Sequence, residues 1–144
     1  MESVRPVILL VENDDADVFL FRRALQRLRF KGTLRVVTFI AQAHDYLKRR
    51  GEFTDESYYP LPDLIVSDMN LHGETGNDFL TWLRKDARLG EIPFIFYSGS
   101  FTESQRQTSM GLNPEGFYPK TADMDEMTKQ LASILKFLPR PELK

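Results

Sequence analysis

A three-layer α/β sandwich built on a parallel sheet is the fold class the sequence predicts, and three observations predict it. Short apolar runs recur near residues 7–11, 34–40, 64–66, 94–97 and 117–118. The segments between them carry apolar residues at helical spacing. Strands that alternate with helices in this way pair in parallel, with helical crossovers on the sheet faces. The third observation is chemical: four of the five runs end in, or are followed by, a carboxylate, hydroxyl or amine.

The first run, VILLV at 7–11, is apolar at every position, as a strand buried on both faces requires. It ends in Glu12-Asn13-Asp14-Asp15. From Asp17 onward Val18, Phe21, Leu25 and Leu28 repeat at helical spacing between Arg22, Arg23, Gln26 and Arg27. Asp14 and Asp15 therefore fall at a helix start, where a carboxylate caps free N–H groups. Glu12 still belongs to the strand end. After the Lys31-Gly32 turn, LRVVTFI at 34–40 predicts a second strand, and a short helix is expected over about 41–50. Residues 51–61, GEFTDESYYPL, have no periodicity and predict a long surface loop.

Leu64, Ile65 and Val66 predict the central strand, bounded by Pro62 and by the His72-Gly73 break, with Asp68 at its end. Gly73 and Gly76 supply a turn, and Phe79, Leu80, Trp82 and Leu83 mark a third helix ending near Gly90. Trp82 fits the margin of the core. FIFY at 94–97 predicts a fourth strand, closed by Ser98-Gly99-Ser100. Thr102 and Gln105 have the spacing of a capping box for a fourth helix, stopped by Gly111, Pro114 and Gly116. A short strand at Phe117-Tyr118 meets Pro119-Lys120-Thr121. Asp123 and Glu126 repeat the capping-box spacing. Met127, Leu131, Ile134, Leu135 and Leu138 carry the last helix, and Pro139 and Pro141 end it.

At 144 residues the chain predicts one domain over 1–144, with a core of about 5–138 and a tail at 139–144. Its 19 basic and 21 acidic residues leave a net charge of −2, which gives no broad attraction to nucleic acid or to a membrane surface. The absence of cysteine excludes disulfides and thiolate chemistry. No apolar segment is long enough to span a bilayer, and MESVRP at 1–6 lacks an apolar signal core, so the expected location is cytoplasmic. Single scattered glycines disfavour a dinucleotide-binding fold.

In a parallel sheet the carboxyl ends of the strands lie along one edge, so Glu12, Asn13, Asp68, Ser98 and Lys120 can converge although they are far apart in sequence. Taken singly, each has a plainer role: a cap, a turn residue, a solvated lysine. Taken together they are a coherent set. Two or three oxygens of this kind suit a hard cation such as Mg²⁺, which keeps several waters and is completed by phosphate oxygens. A lysine and a hydroxyl beside it suit two further oxygens of a transferred phosphoryl group. Asp68 would then be the nucleophile, giving an acyl phosphate.

VILLVEND, PDLIVSDMNL, IPFIFYSGS and GFYPK, in this order over residues 5–138, make the chain resemble a response-regulator receiver domain of two-component signalling. The resemblance implies a flavodoxin-like (βα)5 fold with sheet order 2-1-3-4-5. It implies that Asp68 is the phosphoacceptor, that Glu12 and Asn13 hold the acidic-pair positions, and that Asn70 gives a main-chain carbonyl to Mg²⁺. Ser98 corresponds to the hydroxyl that moves onto the phosphoryl group, Lys120 to its cation, and Phe117 to the aromatic switch. Asn70 and Ser100 hold the positions that tune acyl-phosphate hydrolysis. The implied partners are a sensor histidine kinase and an unknown downstream protein, and the resemblance allows a homodimer. No enzyme activity is implied beyond the chain's own phosphorylation and dephosphorylation. The loop before the central strand and the VENDDADVFLFRRAL opening resemble a narrower group, stand-alone receivers partnered with bacterial phytochrome histidine kinases.

Two departures from the family pattern matter. Asn13 stands where the family usually has Asp, which removes one negative charge from the cation site and predicts weaker Mg²⁺ binding. Asp14 is the nearest substitute, but its place at the helix start points it elsewhere. Thr121 replaces the family's proline after the lysine, so no cis bond is expected there. Asn13 also supports a rival, a phosphorylation-independent pseudo-receiver that works by binding alone. A hydrolase of the phosphatase kind would need a second acid at its motif's spacing after Asp68, and the sequence has none.

Overall fold

The computed structural model describes residues 5–139. The expected tail at 139–144 lies outside the described residues beyond Pro139. The chain runs β1 (Val7–Val11), α1 (Asp15–Arg27), β2 (Thr33–Val37), α2 (Ile40–Leu47), β3 (Leu64–Ser67), a hairpin of β4 (Asn70–Leu71) and β5 (Glu74–Thr75), α3 (Gly76–Arg84), β6 (Phe94–Ser98), α4 (Glu103–Gly111), β7 (Gly116–Pro119) and α5 (Met124–Ile134). The main sheet is parallel throughout in the order β2-β1-β3-β6-β7. Counting its five strands alone, that is the expected 2-1-3-4-5.

The all-apolar strands are explained by what lies on each face. Leu9, Val11, Ile65, Phe94 and Phe96 point to one side, against Ala43 and Leu47 of α2 and Phe79 and Leu83 of α3. Ile8, Leu10, Leu64, Val66, Ile95 and Tyr97 point to the other, against α1 and α5. Successive side chains alternate faces, so a strand covered on both must be apolar at every position. Helix α4 stands apart, because Ser109 is its one buried residue.

Several boundaries differ from the sequence expectation. The second strand stops at Val37, not at residue 40, because Thr38 and Phe39 turn their N–H groups onto Oε1 of Gln42, at 2.8 and 3.0 Å. Helix α2 accordingly covers 40–47, not 41–50. Helix α3 ends at Arg84, and a separate 3-10 turn at Leu89–Glu91 occupies the stretch before β6. Helix α5 ends at Ile134 and passes into a 3-10 turn, Leu135–Phe137. The loop at 51–61 is anchored: Phe53 and Tyr59 pack against Tyr46, whose hydroxyl donates to the Pro60 carbonyl at 2.8 Å. The small hairpin was not foreseen. Its turn is made by His72 and Gly73, both at positive φ (48° and 84°), the conformation that tight two-residue hairpins need.

Trp82 is half-buried at the core margin and stacks on His44 with ring centroids 4.0 Å apart. No cis peptide bond occurs among the described residues, as expected after Lys120. No described helix is long and apolar enough to cross a membrane.

Candidate functional site

The parallel register fixes where the strand ends meet. Val11 is level with Ser67, Ser67 with Phe96, and Ser98 with Pro119, so the residues that follow these strands emerge along one edge. Asp68 leaves β3 between β1 and β6, the central place on that edge. Gly76 keeps the backbone close there: a Cβ on it would lie 2.6 Å from the Asp68 carbonyl, and its N–H donates to the Met69 carbonyl at 2.6 Å. Only glycine fits that approach.

Glu12, Asp68, Ser98 and Lys120 are brought together. Lys120 Nζ contacts Glu12 Oε1 at 2.8 Å, Asp68 Oδ2 at 2.9 Å and Asp17 Oδ2 at 2.7 Å. Ser98 donates its hydroxyl to Asp68 Oδ1 at 2.5 Å, and the Met69 N–H donates to the same oxygen at 2.6 Å. The groups are buried: Glu12 is 3 % exposed, Asp68 9 % and Ser98 0 %. Asn13 is half-exposed at the rim. Asp14 turns away and caps α1, accepting from the N–H groups of Ala16 and Asp17. Asn70 and Ser100 meet on the solvent side, where the Asn70 amide donates to the Ser100 carbonyl at 2.7 Å. The Phe117 ring rests on Phe96 and Phe101, at centroid distances of 5.3 and 4.6 Å, and it lies level with Phe96, two residues short of Ser98.

Two residues escaped the sequence reading. Asp17 sits in the first turn of α1 and reaches back to Lys120; the only signal was an acid five residues past Glu12, which reads equally well as favouring a helix N-terminus. Gln105, noted as half of a capping box, also donates from Nε2 to Asn70 Oδ1 at 2.9 Å.

Three carboxylates around one ammonium leave an excess of two negative charges in a mostly buried place. Burial alone would lower the Lys120 ammonium, but Asp17, Glu12 and Asp68 override it and hold it charged, above the ordinary lysine range. Burial pushes the Glu12 carboxyl above the ordinary carboxylate range, against the pull of Lys120. The pocket is thus short of positive charge, and its donors are all hard oxygens. That is the donor chemistry of a small divalent cation. No three carboxylate or imidazole side chains form a closed metal cage among the described residues. A cation here must complete its shell from amide, carbonyl and water oxygens.

The family model for the response regulator receiver domain matches residues 8–132. The chain belongs to that family. Receiver domains are signalling proteins, and phosphorylation of an aspartate is their mechanism. Among curated relatives of this receiver, the response regulator Rcp1 of Synechocystis sp. is 27% identical over 131 residues, which cover 91% of this chain and 87% of Rcp1. Among solved structures, the phosphorylated cyanobacterial phytochrome response regulator RcpA aligns with a TM-score of 0.82 at 27% identity, covering 94% of both chains. Rcp1 in its Mn²⁺-bound form aligns at 0.80 and 26% identity, covering 94% of this chain and 99% of that one. The bacteriophytochrome response regulator RtBRR aligns at 0.80 and 29% identity, covering 98% of this chain and 82% of its own.

Proposed function

We propose that the chain is a phosphorylation switch in which Asp68 accepts the phosphoryl group from a sensor histidine kinase. The observation that carries this reading is the convergence of Lys120 and Ser98 on the two oxygens of one buried carboxylate. An Asp68 oxygen attacks the phosphorus of the kinase phosphohistidine. The new O–P bond forms as the N–P bond breaks, and the imidazole leaves with the electron pair and takes up a proton. Lys120, already positioned by Glu12 and Asp17, neutralises the charge that gathers on the phosphoryl oxygens. Glu12, Asn13, Asp68 and the main-chain carbonyl of Asn70 would hold a divalent cation, Mg²⁺ by its preference for oxygen and water. When bound, that cation supplies further charge neutralisation at the phosphoryl group. With an amide at position 13, affinity for it is lower than two acids would give.

The acyl phosphate adds a charge of about −1.5 to −2. Ser98 then exchanges its bond to Asp68 for one to the phosphoryl group, and the Phe117 ring turns into the space that Ser98 leaves. The surface of α4, β7 and α5 is the readout face, where a downstream protein or a second copy of the chain docks. The relatives named for phytochrome signalling support a bacteriophytochrome as the kinase, and the mild net charge agrees with action away from nucleic acid and membrane. The whole of 1–144 acts as one receiver unit in this reading.

Wild-type protein should take up one phosphate from acetyl phosphate in the presence of Mg²⁺, seen as a retarded band on a Phos-tag gel, and Asp68→Asn should take up none. Uptake persisting in Asp68→Asn would move the acceptor elsewhere. No uptake by the wild type would favour the pseudo-receiver, which Asn13 supports.

A further inference from the structure

Gln105 has every polar group engaged. Its N–H donates to Thr102 Oγ1 and its side-chain oxygen accepts from the Thr102 N–H, both at 3.0 Å, closing the capping box of α4. Its carbonyl accepts from the Asn77 amide at 2.9 Å. Its side-chain nitrogen donates to Asn70 Oδ1 at 2.9 Å, and the Asn70 amide donates in turn to the Ser100 carbonyl at 2.7 Å. Asn70 lies two residues past Asp68, and Ser100 two past Ser98. The Asn70–Ser100 bond is therefore an outer, solvent-side rung over the buried Asp68–Ser98 bond. The orientation of the Asn70 amide is forced, because a flip would set its oxygen against the Ser100 carbonyl and its nitrogen against a donor. Helix α4 is held by polar contacts and not by an apolar face: its single buried side chain is Ser109, which donates to Asn77 Oδ1 at 2.6 Å.

We infer that Gln105 is a positioning residue that acts through Asn70: it pins the Asn70 amide as a bar across the solvent side of Asp68, so that the seating of α4 sets how fast water removes the phosphoryl group. The inference rests on Asp68 as the acceptor. While Gln105 holds the bar in place, water reaches the acyl phosphate slowly. When α4 shifts, Gln105 withdraws, Asn70 swings free and hydrolysis speeds up. Coupling of this kind is reciprocal, so a protein that grips α4 also changes the lifetime of the phosphorylated form.

Gln105→Glu separates the two duties of the side chain. A carboxylate still accepts from the Thr102 N–H and keeps the capping box, but it cannot donate to Asn70. The full chain carrying Gln105→Glu should melt within about 2 °C of wild type, while its acyl phosphate decays about threefold faster or more on Phos-tag gels. Asn70→Ala should give a similar change, and the double variant no further one, because both break one bar. An unchanged lifetime in Gln105→Glu, or additive effects in the double variant, overturns the inference. The side-chain amide resonances of Asn70 in ¹⁵N spectra supply a readout that needs no phosphate. They should move in Gln105→Glu, and if they stay put the inference fails. Absence of phosphate uptake by the wild type would instead defeat the assignment of Asp68, leaving the amide resonances to decide the role of Gln105.

Discussion

Lys120 spends its three N–H donors on three carboxylates, and the shortest of these contacts, at 2.7 Å, is to Asp17. Asp17 is 30 % exposed at its side chain, against 2 % for Glu12 and 11 % for Asp68, so in the proposed reaction it is the acid most open to an arriving phosphodonor. Its charge repels an anion on approach and also competes for the lysine. Asp17→Asn at one fixed, saturating Mg²⁺ concentration should therefore raise the rate of uptake from acetyl phosphate a few-fold at about 0.1 M ionic strength. The gain should shrink at about 1 M, as the screening length falls from about 10 to about 3 Å. Equal rates for the two proteins at both ionic strengths would show that Asp17 exerts no such field.

Helix α4 is the weakly seated element. Ser109, fully buried, bonds Asn77 Oδ1 at 2.6 Å, and Asn77 on α3 is itself only 7 % exposed. Ser109→Ala leaves that oxygen without its donor and should cost about 1–3 kcal/mol in urea melts, large for the loss of a single hydroxyl. Helices α2 and α3 meet through a different group. His44 stacks on Trp82 and its Nε2 is buried without a hydrogen-bond partner among the described residues. Burial lowers its pKa below the usual 6.5. As pH falls through 6.5 the unfolded chain takes up the proton first. The stability contributed by the neutral ring is complete above that pH and is lost below it, down to the folded value. Between pH 7.5 and 5.5 the urea midpoint should thus fall more for wild type than for His44→Gln, and parallel curves would refute this.

The described residues are built on one main sheet, with a core on each face sharing its strands. Leu9, fully buried in the middle of β1, lies level with Arg35 of β2 and Ile65 of β3. Leu9→Ala should cost about 2–5 kcal/mol. Because both cores use β1, far-UV circular dichroism and Trp82 fluorescence should still follow a single coincident transition. Two separated transitions would mean that the sheet faces melt independently.

The strands, the helices and the five strand-end groups were legible in the sequence because they rest on local physics: unbroken apolar runs, helical spacing and capping residues. The parallel arrangement follows from their alternation, and it predicts that Glu12, Asn13, Asp68, Ser98 and Lys120 share an edge. The sheet order came from resemblance and was borne out by the strand pairing. Tertiary structure decided what local physics leaves open. Asp17 and Gln105 both look like ordinary helix-start residues, and only the packing of α1 and α4 against the strand ends turns them toward Lys120 and Asn70. The end of the second strand, the anchored 51–61 loop and the His72-Gly73 hairpin were likewise set by partners outside their own stretch. A side chain's conformational preference is written in its neighbours along the chain, but the group it finally contacts is fixed by which elements the fold brings within about 3 Å.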